Sequence, residues 1–111
     1  MQHQDLTKDR WANFTLREQL ANVGSEVIRA VNWQKKGNIQ YATLAFYRAL
    51  ELIDLTLAKP LPLPELSEIA RLREVLVDYF GGGNIYQSSE ASWKSYFQAF
   101  TLAAALEREK T

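Results

Sequence analysis

The chain has 111 residues and a mass of 12.7 kDa, which is one domain's worth and buries roughly two-thirds of its unfolded surface in a single core. Apolar residues at 47% and charged residues at 23% match ordinary globular domains and exclude a disordered chain or a collagen-like repeat. Thirteen basic residues cancel thirteen acidic ones at a pI near 6.6, so no basic field marks a nucleic-acid sleeve or a membrane-surface helix.

Residues 1–14 read as a polar N-terminal tail. Their sequence, MQHQDLTKDRWANF, has no apolar core of a signal peptide, and no later run of about eighteen apolar residues is free of charge. A cytoplasmic chain with no membrane contact is the expectation.

Strong helix breakers fall in only three places: Gly37 after Lys35 and Lys36, the cluster Pro60, Pro62 and Pro64, and the run Gly81, Gly82, Gly83. Four long segments lie between them. The first begins at Thr15, which has capping-box spacing to Glu18, and runs to Lys36. Leu16, Leu20, Val23, Val27, Ala30 and Val31 form its apolar face, with Arg17, Glu18, Glu26 and Arg29 mostly off it. Gly24 interrupts this segment at a cost of about 1 kcal/mol relative to alanine, so it marks either a close approach of another helix or a weak point.

The second segment takes Asn38 as its N-cap and continues to Ala58, with Ala42, Ala45, Phe46, Ala49, Ile53 and Leu57 on one stripe. It is apolar nearly all round, which predicts the central helix. The third runs from Pro64 or Glu65 to Phe80, facing inward with Leu66, Ile69, Leu72, Leu76 and Phe80. The fourth begins near Ser89 and carries Trp93, Phe97, Phe100 and Ala104 at helical steps. No stretch alternates with period two. Short loops near Gly37 and Pro60 favour an all-α, up-down antiparallel four-helix bundle over residues 15–109, compatible with a short additional N-terminal segment.

The chemistry available to such a bundle is narrow. Without cysteine there is no disulfide, thiolate nucleophile or zinc ribbon, and the single histidine, His3, lies in the polar tail. Glu51 and Asp54 stand one turn apart, yet a di-iron bundle needs Glu-x-x-His ligands that are missing. Neither metal nor cofactor is expected, and these acids mark the solvated edges of their helices, where Glu51 can pair with Arg48 or with a nearby lysine. The glycine run in GGGNIYQSSEASW lacks the lysine and preceding strand of a P-loop. It reads as a helix end and a flexible connector, on which Ile85 and Tyr86 fold back.

Two stretches resemble known families. KGNIQYATLAFYRALELI, with Gly37, Ala42, Phe46, Ala49 and Leu50 at fixed offsets, resembles the second helix of a tetratricopeptide repeat. No second copy follows at about thirty-four residues, and a tight helical hairpin with small residues at its contact accounts for the same pattern. RLREVLVDYFGG, from Arg71 to Gly82, together with WQKKGNIQYATLAFYRALEL upstream, resembles the HEPN superfamily of helical bundles, which includes the ribonuclease toxins of toxin–antitoxin pairs. By that resemblance Arg73 takes the family arginine's place, Phe80 the aromatic position, and Asp78 the place of the histidine. An imidazole titrates near 6.5 and a carboxylate near 3.9, so the exchange implies weak or no cleavage and makes a nucleic-acid ligand less expected. The resemblance also implies pairing of two copies through their motif helices, or binding of a nucleotidyltransferase-type antitoxin.

Asp78 also stands at the unfavourable end of its helix, four residues after Glu74. A positive partner would offset both effects, and Arg48, Arg71 and Arg73 are the candidates. Three tryptophans, five tyrosines and five phenylalanines exceed what a four-helix core needs, and Tyr and Trp favour protein contacts. Trp33, Tyr41, Tyr47, Tyr79 and Tyr96 are the interface candidates. The leading reading is therefore a non-catalytic, HEPN-like homodimeric interaction module. The alternatives are a residual metal-independent ribonuclease using Arg73, Asp78 and Tyr79, and a repeat-type protein-binding adaptor.

Overall fold

The computed structural model describes residues 8–110, so His3 lies outside the described part. Five helices follow one another, α1 (Lys8–Ala12), α2 (Leu16–Lys35), α3 (Ile39–Leu57), α4 (Leu63–Gly81) and α5 (Glu90–Lys110), with no strand among the described residues. The punctuation is as the local chemistry demands. Thr15 and Glu18 form a reciprocal capping box, the Asn38 side chain accepts from the backbone of Tyr41, and Gly37 takes φ +79°, a left-handed conformation that suits glycine.

Helix α2 packs closely along both α3 and α5, while α3 also meets α4 and α1. Thus α2, rather than the more apolar α3, has the two extensive neighbours, and α3 keeps part of its apolar surface in solvent. Val23, Val27, Ala30 and Val31 of α2 are fully buried, as are Ala45, Ala49, Leu52 and Ile53 of α3. The small residues Ala42, Ala45 and Ala49 let the α2 and α3 backbones come together. Charged pairs reinforce the α2 to α5 seam: Arg17 joins Glu107 at one end, and Lys35 meets Glu90 at 3.1 Å at the other. Hydrogen bonds from Lys94 and then Lys35 hold the Glu90 carboxyl below its usual range.

Gly24 resolves into the first of its two readings, a close approach. A Cβ at this position would stand 2.6 Å from the Phe97 ring of α5, so the glycine is a seat for that ring. The gap between α4 and α5 is filled differently, by large side chains. Ring contacts run from Phe46 to Phe80 (5.1 Å), Tyr79 (4.9 Å), Trp93 (5.9 Å), Phe97 (6.0 Å), Tyr96 (5.0 Å) and Phe100 (5.3 Å). Much of the aromatic surplus is consumed by this row.

Three polar residues are buried where hydrophobic patterning has no place for them. Gln19 donates to the carbonyl of Trp11 at 2.8 Å, Thr56 accepts from Trp11 Nε1 at 2.9 Å, and Glu26, 3% exposed, pairs with Arg29 at 3.0 Å. Glu26 therefore does not lie on the solvated face that its charge implies. For residues 8–14 the first two bonds correct the reading of a polar tail, and residues 1–7 of that reading lie outside the described part. Lys8–Ala12 is a helix docked on α3, with Trp11 2% exposed.

Two outcomes follow for stability. Trp11→Ala lowers unfolding free energy by about 3–5 kcal/mol in urea titration, whereas a residue in a solvated tail gives less than about 0.5 kcal/mol. Gly24→Ala destabilises by roughly 1–3 kcal/mol despite alanine's better helix propensity, and the cost shrinks in a Phe97→Leu background where the ring is gone.

Candidate functional site

The sequence candidates separate into two groups in space. The motif residues of α4 are occupied by the fold itself. Arg73 Nε donates to Asp54 Oδ1 of α3 at 2.8 Å and Nη2 to Oδ2 at 3.4 Å, and this hydrogen bond, more than burial opposes it, raises the arginine's pKa. Asp78 does not pair with an arginine, contrary to expectation. Its carboxylate accepts the backbone N–H of Ile85 at 2.9 Å and of Tyr86 at 3.1 Å, and its carbonyl accepts those of Gly82 and Asn84. An anion at a helix C-terminus is tolerated here because the chain turns back and presents two donors to it.

That turn makes the connector between α4 and α5 a built loop. Asn84 and Gln87 adopt left-handed backbones at φ 54° and 56°, and Asn84 exchanges hydrogen bonds with the Ser88 backbone at 3.0 and 2.9 Å. Ser89 and Ser92 then cap α5 reciprocally at 3.1 and 2.8 Å. Tyr86 sits under Arg71 at 5.3 Å, and its hydrogen bond to Glu74 raises its phenol pKa. Ile85 does not fold back onto the bundle; it is 79% exposed.

Phe80 and Tyr79 are half-buried in the aromatic row. Tyr96 joins them and hydrogen-bonds Glu68 at 3.0 Å; burial and that carboxylate push its pKa far up. These three are packing residues. Between α4 and α5 lies a mainly apolar groove of about 260 Å³, lined by Arg71, Leu72, Val75, Trp93 and Tyr96. A larger open groove of about 820 Å³ runs over Gly24 and Phe97 with Arg29, Lys36 and Lys94 at its rim. Its cations are engaged: Arg29 by Glu26, Lys94 by Glu90 at 2.7 Å, and Lys36 over the Trp33 ring at 5.0 Å. No group of three or more potential metal-ligating side chains occurs among the described residues.

The second group does converge. Trp33 from the end of α2 meets Tyr41 of α3 edge to face at 4.9 Å, and with Leu44 and Arg48 they line one depression of about 170 Å³. Tyr47 lies further round α3, on a separate shallow depression with Glu51, Asp54 and Arg73. Tyr41, Leu44 and Tyr47 are 49%, 44% and 59% exposed, so three large apolar side chains one turn apart face solvent on a single helix. Leu44 is a member not among the interface candidates named from the sequence, since an apolar residue on a helix that is apolar nearly all round carries no local sign of exposure. The expected Arg48 to Glu51 pair is absent: among the described residues neither side chain has an ion-pair partner.

No protein-family model, curated protein or solved structure matches this chain. No helix among the described residues is long and apolar enough to cross a membrane.

The two roles of α4 predict distinct mutational behaviour. Asp78→Ala costs about 1–3 kcal/mol because two loop N–H groups lose their acceptor, while Arg73→Ala costs about 0.2–1 kcal/mol, the scale of an exposed ion pair. In a double-mutant cycle the two couple by less than about 0.5 kcal/mol; a larger coupling would restore a direct Arg73 to Asp78 interaction.

Proposed function

We propose that this chain is a small, non-catalytic helical interaction module, an up-down antiparallel four-helix bundle with an added N-terminal helix, that works as a homodimer in the cytoplasm. The observation that carries the reading is the convergence of Trp33, Tyr41, Leu44 and Arg48 on one depression, with Tyr47 exposed further round α3. Tyrosine, tryptophan and arginine with exposed aliphatic surface make up the usual centre of a protein contact. The resemblance to HEPN bundles agrees with a helical domain that pairs.

The alternative of a residual ribonuclease receives no support from the geometry. Phosphate binding and proton transfer need a cation and a titrating group converging on one reacting atom, whereas Arg73 is held toward α3 and Asp78 toward its loop. Tyr79 packs between Phe80 and Trp93. The repeat-type adaptor likewise draws only on the α2 and α3 hairpin, where the alanines already serve the helix contact. A nucleotidyltransferase-type antitoxin as the partner follows from the family resemblance alone; the exposed face is equally suited to a second copy, and the homodimer is the reading adopted.

Light scattering over a dilution series in moderate salt tests this directly. The expected mass is about twice 12.7 kDa, persisting into the micromolar range; the monomer mass at every concentration overturns the homodimer. Incubated with RNA at large enzyme excess, wild type and Arg73→Ala should leave the substrate equally intact, and cleavage that disappears in Arg73→Ala overturns the non-catalytic reading.

A further inference from the structure

The outer flank of α3 carries a pattern that its own fold uses only in part, since Leu55 packs against the core and Tyr41 meets Trp33 while the remainder has no partner element. Tyr41, Leu44, Arg48, Glu51, Leu55 and the C-cap residue Ala58 follow one another at steps of three and four, the heptad spacing of a helix that lies along another helix. Tyr41, Leu44 and Ala58 are exposed and the other three half-buried, at a flank of the buried stripe that packs on α2. In the middle of this row sit one cation and one anion, each without an ion-pair partner among the described residues.

We infer that this row is a two-fold interface in which α3 of one copy lies antiparallel to α3 of a second copy, with Arg48 of each facing Glu51 of the other. The inference rests on the homodimer proposed above and names the surface that forms it. In antiparallel heptad pairing the two positions of the row face each other in crossed order. A two-fold axis midway between Arg48 and Glu51 then sets Tyr41 against Ala58, Leu44 against Leu55 and Arg48 against Glu51, twice over. Large meets small, aliphatic meets aliphatic, and each unpaired charge finds the opposite one. The parallel arrangement would set Arg48 against Arg48 and Glu51 against Glu51, so the central charges select direction and register. A closed two-fold contact also uses the patch fully and leaves no repeating surface for further growth. The row lies on α3; its Glu51, Leu55 and Ala58 end shares a depression with Arg73 of α4, whereas Asp78 is turned toward its own loop.

The test exploits the symmetry. Arg48→Glu and Glu51→Arg each place like charges at both contacts, so each variant alone should dissociate with a dissociation constant at least about tenfold higher than wild type, while far-UV circular dichroism keeps its helical signal. Mixed in equal amounts, the two should form a heterodimer, since the Arg48→Glu chain is acidic at both central positions and the Glu51→Arg chain is basic at both. The double variant R48E/E51R should dimerise like wild type. If wild type is dimeric and both single variants dissociate no more readily than it does, the pairing lies on another face and this inference falls while the homodimer stands. If the helical single variants fall apart but their mixture does not pair, the facing of Arg48 and Glu51 is wrong. A monomeric wild type removes both readings.

Discussion

The fold depends on how closely α2 and α5 can approach, and that is decided at Gly24. A helix interior normally excludes glycine because of its conformational entropy, but here the missing Cβ is the space occupied by the Phe97 ring. The contact lets α2 serve two partners at once, the alanine-lined side of α3 and the aromatic side of α5. With α5 seated at Gly24, its other aromatic residues reach α4 across a wider gap, and Trp93, Tyr79 and Phe80 fill that gap ring against ring. One residue without a side chain on α2 is thus coupled to several with very large ones on α4 and α5.

The same economy governs the polar groups. Asp78 is at a position that helix electrostatics disfavours, and the structure turns the drawback into a loop anchor by aiming two backbone N–H groups at the carboxylate. Arg73 is neutralised by a residue of a different helix, Asp54, which fixes α3 against α4. Trp11 carries a hydrogen bond into the core and so ties the N-terminal helix to Thr56. Arg73 and Asp78 are thus each bonded to a different neighbour within the fold.

By contrast the outer face of α3 has more apolar surface than the fold consumes. A central position would have buried it; its actual place at the flank leaves Tyr41, Leu44 and Tyr47 in solvent, beside charges that are paired with nothing in the same chain among the described residues. It is on this stripe, interrupted by one cation and one anion, that the proposed two-fold pairing rests.

Much of the local architecture was legible from the residues alone. The capping box at Thr15 and Glu18, the cap at Asn38, the glycine turn at Gly37 and the absence of any period-two stretch determined where α2 and α3 begin and end and that the chain is helical, because these are short-range hydrogen-bond and backbone constraints. Apolar periodicity likewise marked Val23, Val27, Ile53, Ile69 and Leu76 as buried. Residues whose role depends on a distant partner were not legible: Trp11 in an apparently polar tail, Glu26 beneath Arg29, and Asp78, whose partners are backbone groups rather than an arginine. Which candidates come together was decided only by the tertiary structure. Trp33, Tyr41 and Arg48 meet because a tight turn folds α3 back along α2, whereas Arg73 and Asp78, five residues apart on one helix, face different neighbours. Local hydrogen bonding sets the element, and long-range packing sets what each side chain can reach.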